Sequence, residues 1–177
     1  MAEPAHPDTP AGGPPADSGM ARGGTAGRVA ALLDPRAIRL AERPADRDDA
    51  IRRCGQALVD VGAVEPSYLD SMFDRERSIS TYVGEGVAIP HGTLAGKDAV
   101  RRDALAFLRF PAGVDWDGAA VTIAIGIAAR GDGHVGILAE LAQILLEPDR
   151  ARALREVTDP ADVLRLLQPV DPAAGQP

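Results

Sequence analysis

The sequence predicts an α/β domain, a single-domain mixed β-sheet flanked by helices. Three observations lead there. Strand-like apolar runs and helix-period segments intermingle along the chain, the pattern of helices packed on a sheet. Residues 121–129 (VTIAIGIAA) form a near-continuous apolar run, as expected of a strand covered on both faces. Helix starts are marked by Asp46 and by the pair Asp159-Pro160, a capping carboxylate with proline at the first helical position.

Taken in order, residues 1–28 are rich in Pro, Gly and Ala. Such a composition buries too little apolar surface to offset ordering entropy, so a disordered tail is expected there. Met20 lies inside it and offers a second start site. One folded domain is expected over residues 29–167, with a flexible tail over 168–177. Ala37 to Leu40 reads as a first strand. Ile51, Cys54, Leu58 and Val61 then recur at helical spacing after the Asp46 cap, and Gly62 supplies a stop. A second helix is expected from Pro66 to Arg75 with Tyr68, Leu69, Met72 and Phe73 inward; Asp74 to Arg77 reads as its solvated end. Val87-Ala88-Ile89 is a short strand, Lys97 to Arg102 a loop or helical turn, and Ala104 to Phe110 another strand. Pro111 to Gly113 and Asp117-Gly118 punctuate the next segment, leaving Trp116 as a surface cap or part of an edge. After the apolar strand, a helix from His134 to Leu146 presents Leu138, Leu141 and Leu145. Two short helices close the domain, with Ala151 and Leu154, then Val163, Leu164 and Leu167, inward.

Composition narrows the function. The 177 residues are 45% hydrophobic and 25% charged, ordinary for a globular chain, with 3% aromatic. A net charge of −7 argues against nucleic acid as a partner, because phosphate backbones select basic surfaces, and suits a basic protein partner instead. The one cysteine, Cys54, lies on an apolar helix stripe and reads as core. No apolar stretch approaches a membrane span and no signal-peptide core stands at the start, so a soluble cytoplasmic protein is expected. The sequence has no phosphate-binding glycine loop, no G-x-S-x-G elbow and no cysteine–histidine metal pattern.

Of the three histidines, His6 falls in the tail. His91 stands between Pro90 and Gly92, directly after an apolar strand. Proline has no N–H to continue a ladder, so the strand stops and presents His91 at the lip of the sheet; Gly92 would let a partner backbone approach. On the residues alone this is a nucleophilic histidine or an incidental one at a strand end. Neutral imidazole is a good nucleophile near pH 7, and its phosphoryl adduct is labile enough to be passed on. His134 begins a helix after the loop Gly131-Asp132-Gly133, a place that gathers N–H donors for an anion; a surface or capping role is the alternative.

The segment from Val64-Glu65-Pro66 to Asp74-Arg75-Glu76, then Thr81-Tyr82-Val83-Gly84-Glu85 and Val87-Ala88-Ile89-Pro90-His91-Gly92-Thr93, resembles the EIIA component of the bacterial phosphoenolpyruvate-dependent sugar phosphotransferase system. The superfamily is the mannitol/fructose/nitrogen-regulatory one. The run Ile125 to Arg130 followed by His134, and the stretch Asp159 to Leu164, resemble its mannitol branch. The fructose type usually lacks both the glycine after the histidine and the second active-site histidine; the nitrogen-regulatory type can share Pro-His-Gly, so His134 discriminates. The resemblance implies the EIIA fold over residues 29–167. It also implies that His91 takes a phosphoryl group from phospho-HPr on Nε2 and passes it to a cysteine of mannitol-type EIIB, with EIIB and the membrane EIIC as separate polypeptides. Arg75, Glu85 and His134 fall on the remaining site positions. Arg75 would offset negative charge and be held by a carboxylate. Glu85 would orient a ring N–H or pair with Arg75, and His134 would donate to phosphoryl oxygens, with Thr93 a further hydroxyl. No metal or nucleotide is implied, since the donor is itself a phosphohistidine. A regulatory EIIA-like protein acting through phosphorylation-dependent partner binding, or a fructose-type EIIA, are the alternative readings.

Overall fold

The computed structural model describes residues 27–169. The expected N-terminal tail lies, but for its last two residues, outside that range, as does most of the expected C-terminal one. Five strands form one sheet in the order β1-β4-β5-β3-β2: β1 (Leu33–Arg39), β2 (Tyr82–Gly84), β3 (Val87–Ala88), β4 (Ala104–Trp116) and β5 (Ala119–Ala128). β1 runs parallel to β4 and β3 parallel to β5, whereas β4–β5 and β2–β3 are antiparallel. This is the mixed sheet expected. Residues 123–128 of β5 are buried at every position, because the central strand is covered on both faces.

Among the described residues six α-helices flank the sheet: α1 (Arg28–Ala31), α2 (Arg47–Asp60), α3 (Tyr68–Ser78), α4 (Gly133–Leu145), α5 (Pro148–Glu156) and α6 (Pro160–Leu166). α2 packs on β4, β5 and α3; α5 meets β5, and α6 meets β1. The start of α2 is the expected one: the Asp46 carboxylate accepts the Asp49 N–H at 2.8 Å, and Gly62 follows the helix at φ 71°. Asp159 likewise caps α6 by accepting from Ala161. Cys54 is fully buried on α2, and burial pushes its thiol far above the ordinary range.

Several elements depart from expectation. α1 has no counterpart among the expected elements; its first N–H groups are satisfied by Glu140 of α4, a partner 113 positions from Gly27. β1 is longer than Ala37 to Leu40 and contains Pro35, which an edge strand tolerates. α3 starts at Tyr68, two residues after Pro66, which sits instead in a preceding turn closed by Tyr68 N–H to Glu65 C=O. It runs past the charged tetrad to Ser78, and Glu76 is buried rather than solvated. The stripe of α4 is rotated: Ile137, Leu141 and Ile144 are buried, while Leu138 and Leu145 are only partly so. β4 continues through Pro111 to Gly113 by shifting register between Arg109 and Val114. Its end carries Trp116 into the core, 2% exposed, with the indole N–H on the Glu76 carboxylate at 2.8 Å. Neither a surface cap nor an edge describes it.

Candidate active site

β3 is stopped by Pro90, as its missing N–H requires, but pairing with β5 does not end there. The Pro90 carbonyl accepts from Ile127 at 2.9 Å, and His91 forms an isolated parallel bridge with Ile127. The chain at His91 thus runs beside the last residues of β5, and β5 leads within a few residues to the loop before α4. Two neighbouring parallel segments therefore end together, the place where α/β sheets form clefts beyond their carboxyl ends. His91 arrives there from one segment and His134 from the other. Their rings are stacked across the cleft with centroids 6.1 Å apart and planes 21° from parallel.

The cleft has a volume of about 240 Å³ and is lined by Arg75, Thr93, Lys97 and Asp132 as well as the two histidines. Positive groups outnumber the single carboxylate. The His91 ring is half-buried, and its Nδ1 lies 2.8 Å from the Ile89 carbonyl. A carbonyl can only accept, so Nδ1 carries the proton and the Nε2 lone pair is free. Burial lowers the His91 pKa from its ordinary value; the Ile89 carbonyl opposes that, the charges of Arg75 and His134 add to it, and Glu76 pulls the other way. The ring is held neutral, hence nucleophilic, at neutral pH. His134 is tethered more loosely, with Nδ1 3.2 Å from the Gly131 carbonyl.

Helical spacing places Tyr68 only on the buried face of its helix. In the fold its hydroxyl accepts the Gly92 N–H at 2.8 Å and donates to the Ile127 carbonyl at 2.8 Å, stitching the histidine loop to β5. Burial pushes that hydroxyl up to about 12, the Gly92 N–H only partly opposing, so it stays protonated and able to donate. Gly92 faces this ring: a Cβ there would lie 2.4 Å from Ser71 Oγ and 2.5 Å from the Tyr68 ring. The glycine admits an internal neighbour rather than a partner's backbone.

The structure gathers three of the four expected site residues, His91, His134 and Arg75, around one cleft. Glu85 is not among them. It sits exposed at the β2–β3 turn with φ 53°, between Gly84 and Gly86, and borders a separate apolar groove with Ile89 and Leu138. The partners expected for it are taken: the His91 ring N–H goes to Ile89, and Arg75 Nη1 donates to the Ile79 carbonyl at 2.6 Å. Among the described residues Arg75 has no carboxylate at ion-pair distance, which leaves guanidinium N–H groups for an anion. Sequence reasoning missed Lys97 and Tyr68 as site residues. Lys97 carried one signal, being the only lysine in a chain otherwise supplied with arginine; Tyr68 carried none.

Residues 31–169 match the model of the family described as the phosphoenolpyruvate-dependent sugar phosphotransferase system, EIIA 2. The chain belongs to that family. It is 37% identical over 140 residues to the mannitol-specific phosphotransferase enzyme IIA component of Halalkalibacterium halodurans, covering 79% of this chain and 97% of that protein. It is 38% identical over 145 residues to the mannitol-specific EIICBA component of Pasteurella multocida, covering 80% of this chain and 23% of that one. The chain spans from 16% to 23% of the length of three longer relatives. Among solved structures, the complex of enzyme IIA mannitol with phosphorylated enzyme IIB mannitol from Escherichia coli superposes with a TM-score of 0.72 at 35% identity, over 77% of this chain and 98% of that one. The mixed sheet with flanking helices is the fold of these neighbours. Among the described residues no helix is long and apolar enough to cross a membrane.

Proposed function

We propose that this EIIA is the phosphoryl carrier of a mannitol phosphotransferase system, taking the group from phospho-HPr on His91 and giving it to a cysteine of mannitol-specific EIIB. The observation that carries this reading is the His91 ring, tied through Nδ1 to Ile89 with Nε2 free beside Arg75 and His134. The Nε2 lone pair attacks phosphorus as the P–N bond to the donor's imidazole breaks, and that imidazole leaves with its electron pair. In the second half the EIIB thiolate attacks the same phosphorus and the His91 Nε2–P bond breaks. Such transfers need positioning and neutralisation of the phosphoryl oxygens more than covalent help.

Arg75 supplies that neutralisation with the N–H groups not spent on Ile79, and Lys97 adds a second cation at the mouth of the cleft. His134 lies across the cleft from His91, placed to donate a ring N–H to the oxygens. The domain limits proposed are residues 29–167, close to the matched range. The relative solved with phosphorylated enzyme IIB supports an EIIB as acceptor.

Incubation with phosphoenolpyruvate, enzyme I and HPr, followed by mapping of the modified residue, tests the chemistry. Label is expected on His91 and absent from His91→Ala; label surviving that substitution would exclude the reading. Restored mannitol phosphorylation in membranes lacking EIIA is the expected result for a transport role. Normal His91 phosphorylation without restoration would favour a regulatory EIIA.

A further inference from the structure

The buried carboxylate of Glu76 is used by nothing in the reaction as described, yet it is 6% exposed and surrounded by donors. Oε1 accepts from the Trp116 indole at 2.8 Å and from the Ser80 hydroxyl at 3.2 Å. Oε2 accepts the Thr81 N–H at 3.0 Å and the Thr81 hydroxyl. Each oxygen thus receives two hydrogen bonds, and a buried carboxylate so satisfied is a rigid anchor. What it anchors matters. Thr81, itself 4% exposed, accepts the Ile89 N–H on its carbonyl at 2.9 Å, one step beyond the Tyr82–Ala88 pair of the β2–β3 hairpin. Ile89 in turn gives its carbonyl to His91 Nδ1.

An unbroken series of contacts therefore runs from Glu76 through Thr81 and Ile89 to the His91 ring. Each backbone residue uses its N–H in one peptide plane and its carbonyl in the next, so the series conveys position rather than charge. We propose that Glu76 is a positioning residue for phosphoryl acceptance: by pinning Thr81 it fixes the Ile89 carbonyl, and that carbonyl holds His91 in the Nδ1–H tautomer with Nε2 facing the cleft. The inference rests on His91 as the nucleophile. Loss of the anchor leaves the Thr81 N–H unpaired and the open end of the hairpin free to shift. A displacement of order 1 Å in the reacting group is enough to cost roughly a hundredfold in rate.

The test is Glu76→Met, of similar length without an acceptor. Its readouts are the ¹⁵N ring shifts of His91 and the steady-state kinetics of phosphorylation by phospho-HPr. The wild-type ring is expected as the Nδ1–H tautomer. In Glu76→Met it becomes a tautomer mixture, and kcat falls by about tenfold or more with KM within about twofold. Trp116→Phe removes a partner of Oε1 that is off the path to His91; it is expected to lower Tm while leaving the ring shifts in place. Should Glu76→Met fail to fold, Thr81→Val deletes the hydroxyl contact alone and is expected to shift the same two readouts less. Unchanged ring shifts and kcat in whichever of these folds, or an equal change in Trp116→Phe, overturns the proposal. A wild-type chain that refuses phosphoryl from phospho-HPr would instead count against the carrier function, and the ring shifts would still decide the role of Glu76.

Discussion

The reactivity proposed for His91 comes from what each ring nitrogen meets. Nδ1 is committed to a carbonyl, Nε2 is free, and burial with the nearby Arg75 charge keeps the ring neutral. With this lowered pKa, the phosphoryl acceptance proposed for His91 is expected to persist as the pH falls below 6.5, the ordinary histidine value. A pH profile of the first transfer with an acidic limb at or above that value would contradict this. Stability follows the same sign. Below pH 6.5 the unfolded chain binds a proton that the folded ring resists, so stability falls with pH through that window, until the folded ring is protonated as well. Titration of urea midpoints for wild type and His91→Gln isolates the contribution. Tyr68 is the other residue whose role is local. Tyr68→Phe strands the Gly92 N–H and the Ile127 carbonyl, so a loss of about 1–3 kcal/mol is expected in chemical denaturation, along with slower transfer. A variant equal to wild type in both would show that the stitch is idle.

At the scale of elements, the histidine loop is shaped by α3 and by the 3-10 helix Leu94–Ala99, which pack against each other. Gly92 and Gly96 both lie against Ser71, where a Cβ would approach within 2.4 Å and 2.3 Å of its hydroxyl. Gly92→Ala must push Ser71 or the Tyr68 ring aside; overpacking of this kind costs roughly 1–3 kcal/mol. A drop in Tm is the expected reading, and an unchanged Tm would mean the loop has slack. Helix caps were legible because they are local: Asp46 and Asp159 act on N–H groups two or three residues away. The charged close of α3 was not. Asp74, Arg75, Glu76 and Arg77 look alike in sequence, but the fold sends Glu76 inward to Trp116, Arg75 to the cleft, and Arg77 to an exposed pair with Asp74.

For the molecule as a whole, the core is one contiguous cluster that spans α2, β4, β5 and α4. Cys54 lies in it with no exposure, between helix and sheet, so close to β5 that a methyl on Gly126 would lie 3.2 Å from its Cβ. Thiol labelling of the native protein should therefore be limited by opening of this core, with the rate following global stability as urea is raised. Labelling at the rate of a free thiol in native buffer would show that α2 lifts from the sheet independently.

What the sequence alone determined was local or periodic: the class of fold, the central apolar strand, the caps, the core cysteine, and His91 presented after Pro90. Its motif also carried the family, and with it Arg75 and His134. The tertiary structure decided everything that depends on two distant segments meeting. It brought His134 opposite His91 through parallel pairing with β5, made Tyr68 a bridge, buried Glu76 and Trp116 together, and left Glu85 at an exposed turn. Spacing along a chain constrains which side of an element a residue occupies, but not which element it faces. The chemistry of this cleft lies in that second choice.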